Sequence, residues 1–189
     1  MKQINYSTYY WQNDLVRLRE GKPEDWEESY YNCFDSPARF MLQSELELPP
    51  VETEHRQSSD EYAGFKTGRL MFAIETLDGI NVGGINLNSI DERNGTFSIG
   101  MQIGRDYRGK GYGMAAMKIV LDYAFNERRL HKYYGYVVEG NIPSETMLKK
   151  LGCLQEGVRR DMIFHKGRYW NEIHYGLTAE EFNKANPAK

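Results

Sequence analysis

The sequence contains little cysteine and no cluster of residues typical of a metal site. Its two cysteines, Cys33 and Cys153, lie far apart, and no Cys-x-x-Cys or Cys/His cluster is present. Isolated cysteines in a chain of this length are typical of buried or half-buried thiols. We therefore predict that no metal is bound, and we interpret Cys153 as a packing residue rather than a nucleophile.

Long apolar runs are also absent. No stretch reaches the roughly 18 apolar residues that a membrane-spanning helix needs, and residues 1–14 lack the pattern of a secretory signal. These absences predict a cytoplasmic protein without a membrane partner. The formal net charge of −3 and the isoelectric point near 5.9 argue against general affinity for nucleic acid.

What the chain does contain is enough apolar material for one folded domain. Of its 189 residues, 40% are hydrophobic and 13% are aromatic, which suffices to fill a core at this size. We expect a single domain over residues 1–189, with its core at about 14–177. Nothing resembling an internal repeat divides the chain.

The middle of the chain has the pattern of an antiparallel meander, and the second half alternates helices with strands. Asp78-Gly79 and Asn94-Gly95 are hairpin turn signals between apolar runs. The predicted fold class is α/β (α+β), with a mixed, mostly antiparallel sheet flanked by helices. The predicted strands are 15–19, 70–76, 80–90, 96–103, 133–138, 154–164 and 172–177; the predicted helices are 114–126, 143–151 and a short one around Phe182.

The first 69 residues have a less regular pattern. Lys22-Pro23-Glu24-Asp25 and Asp35-Ser36-Pro37 each predict a helix start. Residues 46–57 are expected to form a loop, and Ser58-Ser59-Asp60 to cap a further short helix. The aromatic run at 9–11 either covers a sheet edge or meets a partner.

A glycine-rich segment, Arg108-Gly109-Lys110-Gly111-Tyr112-Gly113, lies between a predicted strand and a helix. Glycines let the backbone turn sharply and bring successive N–H groups toward one point. The helix N-terminus adds partial positive charge, and the arginine and lysine add two cations. The segment therefore favours a pyrophosphate-binding cradle, with a plain turn as the alternative.

Two phosphate-binding motifs compete for this segment. The Walker pattern requires Ser or Thr after Gly-Lys, but Gly111 follows Lys110. Gly111, Gly113 and Ala116 match the dinucleotide-binding G-x-G-x-x-A, but this match follows three antiparallel strands instead of opening a first βαβ unit. His131-Lys132 stand where that motif places its acidic residue.

Two motifs about 30 residues apart resemble the GNAT superfamily of acetyltransferases. Arg108-x-x-Gly111-x-Gly113 matches the superfamily's Q/R-x-x-G-x-G/A signature, and Asn141-x-x-Ser144 with Leu148-x-x-Leu151-Gly152 matches its downstream helix motif. The resemblance covers about residues 14–177. Glu156-Gly157 and Gly167-Arg168-Tyr169 are most similar to the branch of ribosomal-protein-alanine and spermidine acetyltransferases.

The resemblance implies that acetyl-CoA is the co-substrate, held where the central sheet is splayed. Its pyrophosphate would lie on the glycine segment, and its pantetheine arm would pair with the backbone of Met101 and Ile103 and bond to Asn141. The amide of Met101 would stabilise the oxyanion. The implied donor-binding residues are Met101, Ile103, Arg108, Gly109, Lys110, Gly111, Tyr112, Gly113, Asn141 and Ser144.

The catalytic groups depart from the superfamily pattern. Leu148 replaces the usual tyrosine acid, so Ser144 is the predicted donor of a proton to the leaving thiolate. Ser98 stands where relatives often have a glutamate base. An alkylamine is mostly protonated at neutral pH, and the predicted base is Glu172, which shares a strand face with His174; Glu75 is a further candidate.

These inferences predict an N-acetyltransferase that moves an acetyl group from acetyl-CoA to a primary amine in a ternary complex. The acceptor is a protein N-terminus, a polyamine or a small amine, and residues 46–69 are expected to govern its choice. A homodimer is expected because dimers are frequent in the superfamily. The alternatives are a non-catalytic acyl-CoA-binding protein, a dinucleotide-dependent oxidoreductase and an interaction domain.

Overall fold

The computed structural model describes residues 4–44, 46, 48–62, 65–66 and 69–186. Within these residues it contains eight strands and six α-helices, each numbered in chain order. The strands are β1 (Val16–Arg19), β2 (Phe65–Lys66), β3 (Arg69–Thr76), β4 (Asn81–Asp91), β5 (Thr96–Ile103), β6 (Lys132–Val138), β7 (Leu154–His165) and β8 (Arg168–Thr178). The helices are α1 (Trp26–Asn32), α2 (Ser36–Gln43), α3 (Glu52–Tyr62), α4 (Tyr112–Asp122), α5 (Ile142–Lys150) and α6 (Ala179–Ala185).

The strands form one mixed sheet in the order β1-β3-β4-β5-β6-β8-β7, with β2 paired to the start of β3. Every neighbouring pair is antiparallel except β5 and β6, which run parallel. Parallel neighbours need a crossover connection, and α4 supplies it. The predicted fold class, a mostly antiparallel mixed sheet flanked by helices, is confirmed.

Local sequence explains where these elements begin and turn. The β3–β4 and β4–β5 connections place Gly79 at φ +92° and Gly95 at φ +66°, backbone conformations that glycine adopts without strain. Asp35 caps α2 by accepting the amide of Ala38, and Thr178 and Glu181 form a capping box at α6.

The main core lies between the sheet and the helices α4, α5 and α6. Apolar side chains from the central strands meet one face of α4, and that face follows the stripe expected for an amphipathic helix. The burial of these side chains is the main source of stability of the fold. Fully buried members of this core include Leu18, Ile74, Ile85, Leu87, Phe97, Met117, Val120, Leu121, Tyr175 and Leu177.

The predicted loop at 46–57 holds for the described residues up to Val51, whereas its second part and the helix cap predicted at Ser58–Asp60 are wrong. Helix α3 begins at Glu52, just after Pro49-Pro50, and continues through the predicted cap to Tyr62. Acidic residues in its first turn favour a helix N-terminus. The helix also packs on α1, where the His55 and Tyr30 rings lie 5.5 Å apart. Tertiary packing therefore stabilises a helix that has almost no apolar face.

The aromatic run at 9–11 packs against the core through Trp11, while Tyr10 stays partly exposed. The Trp11 ring lies 4.7 Å from that of Phe72 and 4.6 Å from that of Tyr123. The Tyr10 hydroxyl donates to Asp122 at 2.8 Å. The run therefore joins β3 to α4. Among the described residues, the helices are too short or too polar to cross a membrane.

Candidate active site

The two parallel strands β5 and β6 separate along their length. They pair only at Thr96–Lys132 and Phe97–Tyr133. Beyond these positions, β5 stays paired to β4 as far as Ile103, and β6 stays paired to β8 as far as Val138. The strands therefore leave a gap at their C-terminal ends, with unpaired backbone on both sides. Such a gap suits an extended ligand that can bond to strand backbone.

The glycine segment lies at the end of β5, on one side of this gap. Gly109 and Gly111 have φ +77° and +86°, and α4 begins at Tyr112. A Cβ added to Gly113 would lie 3.0 Å from the Met101 Cε and 3.5 Å from the Ile103 Cγ1, so these side chains pack under α4. The N-terminus of α4 therefore lies beside the part of β5 that borders the gap, and a helix N-terminus suits an anion.

Asn141 lies at the other side of the gap, at the start of α5. Its side-chain oxygen accepts the Ser144 amide at 3.4 Å, so Asn141 is the N-cap of α5. The glycine segment follows β5 and Asn141 follows β6, and the C-terminal ends of parallel strands share one edge of the sheet. The predicted donor-binding residues therefore lie on both sides of one opening.

The structure does not bring the predicted acid and base to the same face of the sheet. The Tyr175 hydroxyl donates to Glu145 of α5 at 3.4 Å, so Tyr175 and α5 share one face. Glu172 lies three residues earlier on β8 and opposite Val138, which packs on Phe40 of α2. Successive strand residues alternate between faces, so Glu172 and Ser144 lie on opposite faces.

Glu172 is 7% exposed and already has two partners. One of its oxygens lies 3.1 Å from Arg159 Nη1 and 3.1 Å from His174 Nε2. The spacing of Glu172 and His174 predicted that they share a strand face, and this contact agrees with that prediction.

Glu75, the further base candidate, belongs to a buried ion cluster. Its carboxylate binds Arg17 at 2.8 Å, Arg19, and Lys22 at 3.6 Å. Burial by itself raises the pKa of Glu75, but hydrogen bonds from Arg19 and Arg17 outweigh burial and hold that pKa below its ordinary value. A strongly paired carboxylate of lowered pKa is suited to holding β1 on β3, not to proton transfer.

A cavity of about 840 Å³ lies on the α2 side of the sheet. Its floor is formed by β3, β4 and β5, and Gly100, Met101 and Gln102 of β5 border it. Its walls come from α1, α2 and α3, including Trp26, Leu42 and His55. The cavity and the glycine segment therefore meet β5 from opposite sides.

Glu28 of α1 lines this cavity, and the sequence patterns did not single it out. A Cβ added to Gly104 would lie 2.2 Å from its Oε1, which places the carboxylate at the end of β5. Burial, and to a lesser extent Asp106, raise the pKa of Glu28, and a hydrogen bond from the Asn32 side chain offsets part of that rise. Within the described part of the chain, Glu28 forms no ion pair, whereas Asp25 is paired with Arg19 at 2.6 Å.

Two chemistries considered from the sequence have little support in the structure. Cys153 is 4% exposed, and burial raises the pKa of its thiol to about 12, so it is an unreactive packing residue. In the ranges that the structure describes, His, Cys, Asp and Glu side chains form no group of three or more suited to a metal ion.

Comparison with known proteins identifies the family. The model of the acetyltransferase (GNAT) domain matches residues 16–154. The SPbeta prophage-derived uncharacterized N-acetyltransferase YokL of Bacillus subtilis (strain 168) is 33% identical over 175 residues, which are 92% of this chain and 95% of that protein. The spermidine N(1)-acetyltransferase of Escherichia coli (strain K12) is 31% identical over 111 residues, 59% of each chain.

The fold is also found in a solved structure. Spermidine N-acetyltransferase from Vibrio cholerae, in complex with CoA and spermine, has a TM-score of 0.77 and 19% identity, over 90% of this chain and 99% of that chain. At that identity the likeness shows the fold alone. The match of the family model to residues 16–154 and the 33% identity to YokL over 92% of this chain show that the chain belongs to the GNAT family and is an N-acetyltransferase.

Proposed function

We propose that this enzyme transfers an acetyl group from acetyl-CoA to a primary amine by direct attack within a ternary complex. The observation that carries this proposal is the position of β5, which separates from β6 beside the glycine segment and borders a large cavity on its other face. An acyl donor entering from the glycine segment and an amine entering from the cavity would meet at β5. Bringing them together supplies much of the rate acceleration.

On the donor side, the backbone amides of Arg108 to Gly113 hold the pyrophosphate. The dipole of α4 adds to this attraction. The backbone amides of Met101 and Ile103 hold the pantetheine arm, and Asn141 bonds to it from across the gap. The amide of Met101 stabilises the oxyanion that forms when the amine attacks the thioester.

On the acceptor side, Glu28 attracts the protonated amine into the cavity. A half-buried carboxylate without an ion-pair partner is a favourable site for a cation. The attacking nitrogen loses its proton through water, or to Glu172 once that carboxylate leaves Arg159. Ser144, on the α5 face, donates a proton to the departing thiolate. The acceptor is a protein N-terminus, a polyamine or a small amine; the relative named for spermidine favours testing polyamines first.

The donor site is tested by thermal unfolding with acetyl-CoA, CoA and NADH. A ligand at about 100 times its dissociation constant stabilises the folded state by roughly 2.7 kcal/mol. We expect acetyl-CoA and CoA to raise the melting temperature and NADH to leave it unchanged. A response to NADH alone would support the oxidoreductase alternative, and no response to either CoA species would exclude the proposal.

A pair of glycine variants locates the site. Gly109 and Gly167 both have φ +77°, and a Cβ added to either meets no atom within 4 Å. Alanine therefore costs about 1 kcal/mol of backbone strain at both positions. We expect Gly109→Ala to weaken acetyl-CoA binding at least about tenfold, because the amides lose their geometry, and Gly167→Ala to leave binding unchanged. Equal effects would place the donor elsewhere.

Turnover is tested by release of free CoA thiol with an amine panel that contains spermidine, an alanine-terminated peptide and small monoamines. We expect at least one amine to release CoA well above the rate with water alone. Acetyl-CoA binding without transfer to any amine would instead support the non-catalytic acyl-CoA-binding alternative.

A further inference from the structure

Asp35 connects the turn before α2 to the glycine segment, which begins 73 residues later in the chain, at Arg108. It is 5% exposed. Its oxygens lie 2.8 Å from Arg108 Nη1 and 3.1 Å from Arg105 Nη2. The hydrogen bond from Arg105, together with that from Arg108, holds the pKa of Asp35 below its ordinary value. The carboxylate is therefore charged at neutral pH and shared by two arginines.

Arg108, the first residue of the glycine segment, is bonded on both sides. Its Nε donates to the Ile103 carbonyl at 2.9 Å, and its guanidinium binds Asp35. Paired charges of this kind fix the side chain in one geometry. Arg108 thus joins the end of β5 to α2, and Lys110 is the cation of the segment that remains for phosphate.

Helix α2 lies across the gap on the cavity face. It contacts both β5 and β6. Phe40 packs on Val138 of β6 and Ile163 of β7, and its ring stacks on that of His165 at 3.7 Å. Leu42 and Gln43 line the cavity. The helix therefore covers the place where, under the proposed function, the acetyl group meets the amine.

We propose that Asp35 is a positioning residue that ties α2 to the donor-binding loop through Arg108, so that filling the phosphate site orders the wall of the acceptor cavity. The inference rests on the proposed function. Phosphate bound by the loop amides restricts the backbone at Arg108, and the Asp35 ion pair passes this restriction to the first turn of α2. Ligand binding that stiffens one side of such a link stiffens the other.

The test uses a donor fragment that lacks the pantetheine arm, the part of the donor that would extend along β5 toward the middle of α2. Adenosine 3′-phosphate 5′-diphosphate carries the phosphates of CoA but not the pantetheine arm. Amide hydrogen exchange of residues 36–43 is measured with and without saturating fragment. In the unaltered enzyme we expect exchange in α2 to slow about threefold or more.

Asp35→Asn removes the charge but keeps the helix cap, because Asn is as good an N-cap as Asp. We expect this variant to bind the fragment within about threefold of the unaltered enzyme, while exchange in α2 no longer responds. Its kcat/KM for the amine should fall while its acetyl-CoA dissociation constant holds. Arg108→Gln breaks the same link from the other side and should also abolish the α2 response.

Arg105→Gln is the matched control, because Arg105 also pairs with Asp35 but lies outside the glycine segment. Its α2 response should persist. A slowing of exchange in Asp35→Asn equal to that in the unaltered enzyme would overturn the inference, as would the absence of any slowing in the unaltered enzyme. If neither the fragment nor acetyl-CoA binds, the proposed function fails as well.

Discussion

At the scale of single residues, the carboxylates near β5 differ in what holds them. Glu75 and Asp25 have arginine partners, and the pKa of each lies below its ordinary value because hydrogen bonds to those partners outweigh burial. Glu28 has no arginine partner in the described structure, only a hydrogen bond from the neutral Asn32 side chain, and burial raises its pKa. Paired carboxylates stabilise the fold, whereas an unpaired one costs stability and is available to a ligand.

Replacing Glu28 by Gln should therefore stabilise the fold and impair function. The ordinary pKa of Glu28 is 4.5, and its pKa in the folded protein is higher. At any pH above the folded pKa the side chain is ionised, and this ionisation destabilises the folded state. The gain from Glu28→Gln, of about 1 kcal/mol or less, should be full at pH 7 and vanish as the pH falls through 4.5. Urea unfolding at several pH values measures it.

The same variant should lower kcat/KM for the amine about tenfold, the loss expected for one charge-assisted contact. Glu27→Gln, on the neighbouring exposed position of α1, is the control and should change neither quantity. A Glu28→Gln enzyme with unaltered kcat/KM would remove Glu28 from the acceptor site.

At the scale of elements, the close approach of β4 to β5 depends on one glycine. Gly83 has φ +151°, and a Cβ there would lie 2.1 Å from the Gln102 carbonyl oxygen and 3.0 Å from the Ile103 Cα. Both are backbone atoms, which cannot rotate away. At the adjacent Gly84, a Cβ would meet the Phe72 carbonyl at 3.6 Å, an ordinary contact.

Alanine variants of these two neighbouring glycines test how much the close contact of β4 with β5 limits the stability of the meander. Gly83→Ala should lower the free energy of unfolding by about 3 kcal/mol, since β4 and β5 must move apart. Gly84→Ala should stay within about 1 kcal/mol of the unaltered protein. Denaturant titration measures the free energy of unfolding of both variants. Equal losses in the two variants would mean that the close contact of Gly83 with β5 is not the cause.

At the scale of the molecule, one sheet runs from the N-terminal segment to the last strand, and three tryptophans report on different parts of it. Trp11 packs between β3 and α4, Trp26 lies on α1, and the Trp170 ring lies 5.9 Å from that of Phe40. A sheet shared by all three regions favours one cooperative unit.

We therefore expect one unfolding transition over the whole chain. Variants that keep a single tryptophan, with Phe at the other two positions, should give the same urea midpoint after correction for their own stabilities, and that midpoint should agree with far-ultraviolet circular dichroism. A separate, earlier transition at Trp170 would show that the β7–β8 hairpin unfolds independently and would contradict the single-domain expectation.

Local chemistry explains what was predictable from the sequence alone. Strand alternation and the Asn-Gly and Asp-Gly turns act within a few residues, so the order of elements from residue 69 onward, and most of their bounds, follow from the sequence. The glycine segment before α4 and the Asn141 motif at the start of α5 are also local patterns, and together these two motifs were enough to indicate the family.

Only the tertiary structure decided the features that join distant segments. The Asp35–Arg108 pair, the position of Glu28 at the end of β5, and the opposite faces of Ser144 and Glu172 depend on how strands and helices pack, which no local pattern encodes. Helix α3 formed where a loop was predicted because its stability comes from packing on α1, not from an apolar stripe of its own. Local backbone preference determined the elements, whereas packing determined which side chains meet in the site.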